Sequence, residues 1–206
     1  DAPASAAAAF TANRVTAAPL IVDKLHLTAT GGKVRVVAIN AGNANCAAGQ
    51  AGLDAAKATC VAAARIFGCK PEEVFPSSTG VIGVPLPAEK LIDVMPTLAA
   101  SLGDNADHFV QVAQAILTTD TVEKTAFARI EVAGPDGAVR KIRMAALGKG
   151  SGMIHPQLVP HATMLVYILT DAAIEPAVLD AYLRPAIEVS FNRISVDGDT
   201  STNDTV

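Results

Sequence analysis

Residues 125–133 and 138–147 each repeat with a period of two, and Gly134-Pro-Asp-Gly137 lies between them. Side chains of a strand point alternately to opposite faces, and a Gly-Pro-Asp-Gly tetrad turns the chain, so this stretch predicts a β-hairpin. An antiparallel pair is thereby set into a chain whose first hundred residues follow another pattern. Residues 33–39 are rich in β-branched side chains and empty into the polar, turn-forming Asn40-Ala-Gly-Asn-Ala-Asn45, which predicts a strand and a loop. Leu53, Ala56, Cys60, Ala63, Ala64 and Phe67 then recur at spacings of three and four, with Gly68 as a stop, which predicts a helix over 51–67.

Further along, the pattern predicts a strand over 74–84 broken at Ser77-Ser-Thr-Gly80, then helices over 87–102 and 107–117. After the hairpin come a strand over 163–169, a helix over 171–183 and a strand over 188–196. The class is α/β, with mixed sheets sandwiched by helices, the helices and hairpins covering a shared, mixed sheet. At 206 residues one domain or two small ones are allowed. Asp1 to Ala9 has neither a basic region nor a long apolar core and is not read as a signal peptide. The dense polar motif just before Val206 and the Ala-rich opening lead us to expect a piece of a longer precursor.

Composition narrows the chemistry. A net charge of −4 offers no footprint for nucleic acid or an anionic membrane, and no stretch has transmembrane length. Three cysteines without a C-x-x-C spacing suggest neither a disulfide framework nor a zinc site, so a reducing cytoplasm is the simplest compartment. His26, His108, His155 and His161 are scattered, and His155 and His161 lack an H-E-x-x-H spacing; no metal is expected. No G-x-S-x-G elbow occurs.

Four constellations could carry chemistry. Asn40-Ala-Gly-Asn-Ala-Asn45 is either a plain turn or a polar loop lining a site. In Ser77-Ser-Thr79-Gly80 a Gly after a small hydroxyl residue lets backbone amides converge on an oxyanion, although a bulge forced by glycine explains the same residues. Lys149-Gly-Ser-Gly152 lacks P-loop spacing, so its Lys is a candidate point charge for a substrate carboxylate or simply an exposed residue. Ala162-Thr163 opens an apolar run. A chain cut there would give Thr163 a free α-amine beside its own hydroxyl, and that amine can take the hydroxyl's proton; otherwise Thr163 is a strand residue. The run Asp197-Gly-Asp199-Thr-Ser-Thr-Asn203-Asp204 lacks the closing Glu of a calcium loop and reads as turns bordering the site.

Seven segments taken in order resemble the ornithine acetyltransferase family, the glutamate N-acetyltransferases also called bifunctional arginine-biosynthesis acetyltransferases. They are Phe10-Thr-Ala-Asn-Arg14 with Ala17-Ala-Pro19; Asn40-Ala-Gly-Asn-Ala-Asn45; Ser78-Thr-Gly-Val-Ile-Gly83; Leu117-Thr-Thr-Asp120; Lys149-Gly-Ser-Gly-Met-Ile154; Ala162-Thr-Met-Leu165 with Thr170-Asp-Ala172; and Ser190-Phe-Asn-Arg193 with Val196-Asp-Gly-Asp-Thr-Ser-Thr-Asn-Asp204. Together they span almost the whole chain.

The resemblance implies the fold of that self-cleaving family and of related aminopeptidases, with cleavage between Ala162 and Thr163. Residues 1–162 would then be an N-terminally truncated α-chain portion, and 163–206 the start of a C-terminally truncated β chain. It implies that Thr163 is the nucleophile, that Thr79 and Gly80 hold the oxyanion, and that Thr118, Lys149 and Thr163 contact substrate. The implied reaction is ping-pong acetyl transfer from N-acetylornithine to glutamate in arginine biosynthesis. It needs no metal or bound cofactor, acetyl-CoA being a possible further donor. The implied assembly joins α and β chains into a higher oligomer. A self-cleaving aminopeptidase or amidohydrolase, which would more often use Ser, and a non-catalytic ligand-binding domain are the alternatives.

Overall fold

The computed structural model describes residues 2–134, 136–156 and 164–206. Its first framework is a parallel pair, β3 (Val36–Asn43) and β4 (Val74–Val81), in register from Val36 opposite Val74 to Asn43 opposite Val81. Upstream lie the short antiparallel strands β1 (Ala4–Ser5) and β2 (Lys33–Val34), with α1 (Ala18–Thr30) between them. The parallel connection from β3 to β4 runs through α2 (Gly49–Phe67), as a βαβ crossover requires. Ala56, Cys60, Ala63 and Ala64 of α2 pack with Ala18 and Val22 of α1 and Val74 of β4. Small side chains on this stripe let the two helices lie close to the strands. Gly68, at φ +61, ends α2 in a left-handed cap, in agreement with the stop read from sequence.

Helix α1 has no counterpart among the expected elements. Its boundary signals are present, Pro19 in the first turn and Gly31 at φ +62 after the last. Ile21, Val22, Thr28 and Thr30 are β-branched, however, and weak helix formers. Burial of Leu20 and Val22, each 1% exposed, supplies what propensity lacks.

The second framework is antiparallel. β5 (Lys124–Ala133) and β6 (Val139–Lys149) form the expected hairpin, closed by Gly134 N–H donating to the Ala138 carbonyl at 2.8 Å. β7 (Leu165–Thr170) adds to β6, with Leu165 opposite Lys149 and Thr170 opposite Met144. Parallel and antiparallel pairings thus occupy separate sheets among the described residues, rather than one shared sheet. Helix α4 (Ala106–Ala115) joins the two: its Ala113 and the following Ile116 pack on Leu147 of β6, with Ile39 of β3 and Tyr167 of β7 against them. Helix α3 (Ala88–Ala100) lies on α2, Met95 touching the same core.

Two further expectations are corrected. Strand β4 runs unbroken through Ser77–Gly80, and the irregularity falls on its partner, where Asn43 pairs with both Thr79 and Val81. The region expected as a helix over 171–183 and a strand over 188–196 is instead α5 (Pro176–Val189) followed by a 3-10 turn, Phe191–Arg193. Asp171 does not start a helix because its carboxylate is engaged by the Arg143 amide at 2.8 Å and guanidinium at 2.7 Å. Pro176, with its fixed φ, opens the helix. Ile187 and Val189 look like strand residues, yet Ile187 is fully buried on α5 beside Ala9, Ile154, Met164 and Val166.

Residues 203–206 thread between two other segments. On one side Ala9 and Val206 exchange backbone hydrogen bonds, and Thr11 N–H donates to the Asp204 carbonyl at 3.0 Å. On the other, Thr205 N–H donates to Met164 and Val166 N–H to Thr205, at 2.7 and 2.9 Å. No described helix is long and apolar enough to cross a membrane.

Candidate active site

The far end of β4, the end of β6 and the segment 197–204 converge on one buried polar region. Three hydroxyl residues of β4, Ser77, Ser78 and Thr79, are 3%, 2% and 8% exposed. Ser78 Oγ donates to Asn40 Oδ1 at 2.6 Å, and Asn40 Nδ2 donates to the Asn43 carbonyl at 2.8 Å. Asn43 in turn accepts from the Asn45 amide at 2.7 Å. Asn40 to Asn43 are thus not the expected loop but the end of β3, paired in register with Ser78 to Val81, and only Ala44 and Asn45 lie beyond the strand; the asparagines form a polar wall of the site.

Lys149, the last residue of β6, donates from Nζ to Thr79 Oγ1 at 2.9 Å. It is only 7% exposed, so the reading of a solvent-facing Lys is set aside. Burial pushes its ammonium down from the usual range, while the charges of Asp120 and Asp204 oppose that shift. The Thr79 oxygen accepts from Lys149, and no acceptor for its own proton occurs among the described residues. Its O–H is thus available to a ligand oxygen.

Gly80 follows at φ +130, a conformation L side chains rarely adopt. A Cβ there would lie 2.3 Å from the Gly42 carbonyl carbon and 2.6 Å from the Asn43 amide nitrogen. Only glycine lets the two strand ends approach so closely, which brings the backbone amides of this corner beside Thr79.

Asp120 lies in the bend after α4, two residues beyond Thr118, which is exposed. Its carboxylate accepts from the Gly150 amide at 2.8 Å and from Lys124. Burial works against the charged form, but the hydrogen bonds from Lys124 and Gly150 and the charges of Lys124 and Lys149 hold the carboxyl below the usual range. The Gly150 amide of the Gly-rich loop is thus taken by Asp120. Asp197 accepts from Met153 and Ile154 amides at 2.6 and 2.9 Å, so the run 197–204 staples the far side of the same loop.

Asn203 closes the region. Its Nδ2 donates to the Ala44 and Ser78 carbonyls at 2.6 and 2.8 Å, tying the 197–204 run to the ends of both parallel strands. Of the residues expected to act, Thr79, Gly80 and Lys149 come together, and Thr118 lies on the loop that Asp120 ties to Gly150. Ala162 and Thr163 lie outside the described residues. Leu165, two positions after Thr163, stands directly opposite Lys149 in the β6–β7 ladder. Asp120 and Asn203 owe their place in the site to partners distant in sequence, Gly150 for the one and Ala44 and Ser78 for the other, which no local motif expresses.

The family model for the ArgJ family matches residues 1–206. The chain belongs to the ArgJ family. It is 46% identical over 204 residues to the "Arginine biosynthesis bifunctional protein ArgJ" of Chlorobaculum tepidum, covering 99% of this chain and 48% of the relative. The protein of the same name from Rhizobium meliloti is 44% identical over 206 residues, covering 100% and 47%. The chain thus spans about half the length of the curated ArgJ relatives it matches. Among solved structures, the Bacillus halodurans ArgJ protein superposes with a TM-score of 0.67 at 37% identity, over 76% of this chain and 78% of that one. An ornithine acetyltransferase from Mycobacterium tuberculosis, solved in complex with ornithine, gives 0.62 at 32% identity, over 77% and 78%. The α/β architecture read from sequence is that of these ArgJ structures.

Proposed function

We propose that this ArgJ-family chain carries the acyl-transfer half of an arginine-biosynthesis acetyltransferase acting on N-acetylornithine and glutamate. The observation that carries this reading is the buried Lys149–Thr79 contact beside Gly80, set opposite a strand that begins two residues after Thr163. The ornithine bound to the Mycobacterium tuberculosis neighbour supports an ornithine-type substrate.

Cleavage of the Ala162–Thr163 bond frees the α-amine of Thr163, which takes the hydroxyl proton as Oγ attacks the acetyl carbonyl. The tetrahedral oxyanion is met by the Thr79 O–H and the amide corner at Gly80. Collapse breaks the carbon–nitrogen bond, and ornithine leaves with the proton on its amine. The glutamate amine then attacks the Thr163 ester, the ester bond breaks, and the hydroxyl is restored with N-acetylglutamate released. Lys149 offers its positive charge to a substrate carboxylate, and Thr118 contacts substrate from the bend before Asp120. Acetyl-CoA as a second acetyl donor fits the "bifunctional" relatives. Residues 1–162 and 163–206 then belong to separate α and β chains that stay assembled, as part of a larger oligomer in the cytoplasm.

Intact-mass analysis of the complete natural protein tests the cleavage, and transfer of acetyl from N-acetylornithine to isotopically labelled glutamate tests the reaction. Two chains parted before Thr163, with transfer lost in Thr163→Ala, are expected. A single uncleaved chain, or a Thr163→Ala variant with normal exchange, would refute the assignment.

A further inference from the structure

Asp204 stands out among the buried ionisable groups. It is 0% exposed, and neither of its carboxyl oxygens has a hydrogen-bond partner among the described residues. Its place is nevertheless tightly set. Its carbonyl accepts from Thr11, its neighbour Asn203 holds the Ser78 carbonyl next to Thr79, and its neighbour Thr205 holds Met164. A carboxyl is thus carried to the point where β4, β6 and the strand following Thr163 meet, and among the described residues only the nearby Asp204 and Ser201 amides favour its charge besides Lys149, without a hydrogen bond of good geometry.

An unpaired carboxylate in such a place is costly, so the group either pairs with a cation or keeps its proton. Lys149 is the cation whose charge acts on it. The ammonium, however, is directed at Thr79 Oγ1, and the Asp204 oxygens take no hydrogen bond from it. The segments on either side of Asp204 present no ionisable group at the paired positions: Ala9, Phe10 and Thr11 on one, Met164, Leu165 and Val166 on the other. Lys149 is itself faced by Asp120 and Lys124, and Asp197 on the approaching loop is engaged by the amides of Met153 and Ile154. Burial therefore prevails over the Lys149 charge and the nearby Asp204 and Ser201 amides, and pushes the Asp204 carboxyl up to about 9.

We propose that Asp204 is a positioning residue that works as a neutral carboxylic acid, leaving the Lys149 ammonium unneutralised for an anionic group of the substrate. This rests on the acetyl-transfer reading above. A charged Asp204 would occupy the positive charge that the substrate carboxylate needs. Rising pH must then weaken substrate binding as the Asp204 proton is lost, with the effect falling on KM. An amide copies the shape of the acid and cannot ionise.

The test uses the complete natural protein, with acetyl exchange followed from about pH 7 to about pH 10. The KM for glutamate is expected to rise about tenfold or more through the alkaline limb in the parent, and in Asp204→Asn to rise less and only at the higher pH where the Lys149 ammonium itself loses its proton. Asp204→Ala is expected to lose about tenfold or more in kcat/KM at neutral pH, with Asp204→Asn restoring most of that loss. Parent-minus-Asp204→Asn infrared spectra at neutral pH should contain the carbonyl band of a protonated carboxyl. Absence of that band, an Asn variant as impaired as Ala, or identical alkaline KM profiles in parent and Asn variant would each overturn the proposal. If the parent exchanges no acetyl at all, the functional reading fails. The infrared band and calorimetric glutamate binding at the two pH extremes then decide Asp204 by themselves.

Discussion

Lys149 Nζ lies 2.9 Å from Thr79 Oγ1, a contact across seventy positions of sequence that fastens the end of the antiparallel sheet to the end of the parallel pair. A buried ammonium is costly to keep, and its desolvation is visible in the downward push on its titration. Replacing it with an apolar side chain of similar length separates function from fold. Lys149→Met should leave the thermal midpoint unchanged or raised, while acetyl transfer falls by about 10²–10³. Thermal melting and steady-state kinetics on one preparation check both halves. Undiminished transfer would remove Lys149 from the site.

Gly80 is the sharpest steric constraint in the region. Gly80→Ala would place a methyl 2.3 Å from the Gly42 carbonyl carbon, at a φ of +130 that alanine resists. The neighbour is backbone and cannot swing aside. A loss of about 2–4 kcal/mol in unfolding free energy is expected, together with reduced turnover. Denaturant titration measures the first; a loss below about 0.5 kcal/mol, ordinary for a surface change, would mean the strand ends do not approach so closely.

Asn203 ties together three stretches by donating to two carbonyls from a single amide nitrogen. Asn203→Ala leaves the Ala44 and Ser78 carbonyls buried without that donor and should cost about 1–3 kcal/mol. Because Ser78 adjoins Thr79, acetyl transfer should decline as well, even under conditions where the variant is folded. Chemical denaturation followed by kinetics well below the transition separates the two effects.

Much of this organisation is legible in the residues themselves, and the parts that are not share a cause. The hairpin and α2 are encoded locally, by Gly134-Pro-Asp-Gly137 and by an Ala stripe ending at Gly68, so they appear where expected. Helix α1 and the last turns of α5, beyond residue 183, combine β-branched residues with tertiary burial at Leu20, Val22 and Ile187, which no local pattern expresses. Within the site, the hydroxyl-Gly pair Thr79-Gly80 and Lys149 mark themselves by residue type. Asn203 and Asp204 sit in a run of turn formers, and their burial arises only when residues 9–11 and 164–166 close on both sides. Thr118 is exposed and held near the site through Asp120, a link that depends on Gly150 thirty positions away.

Asp23 offers a last prediction, on stability alone. It is 1% exposed in α1, with Oδ1 unpartnered among the described residues, and burial raises its carboxyl well above the usual range. An acid with a raised folded-state pKa favours folding in its protonated form. Its unfavourable contribution is absent below the unfolded-state pKa and grows with pH until the folded-state pKa is passed. Asp23→Asn removes the ionisation and keeps the shape. The variant should therefore melt above the parent at neutral pH, with the difference closing as pH falls into the ordinary carboxylate range. Thermal melts of both proteins across that interval give the result, and a parent more stable than the variant at neutral pH would show that the Asp23 carboxylate is satisfied within the helix core.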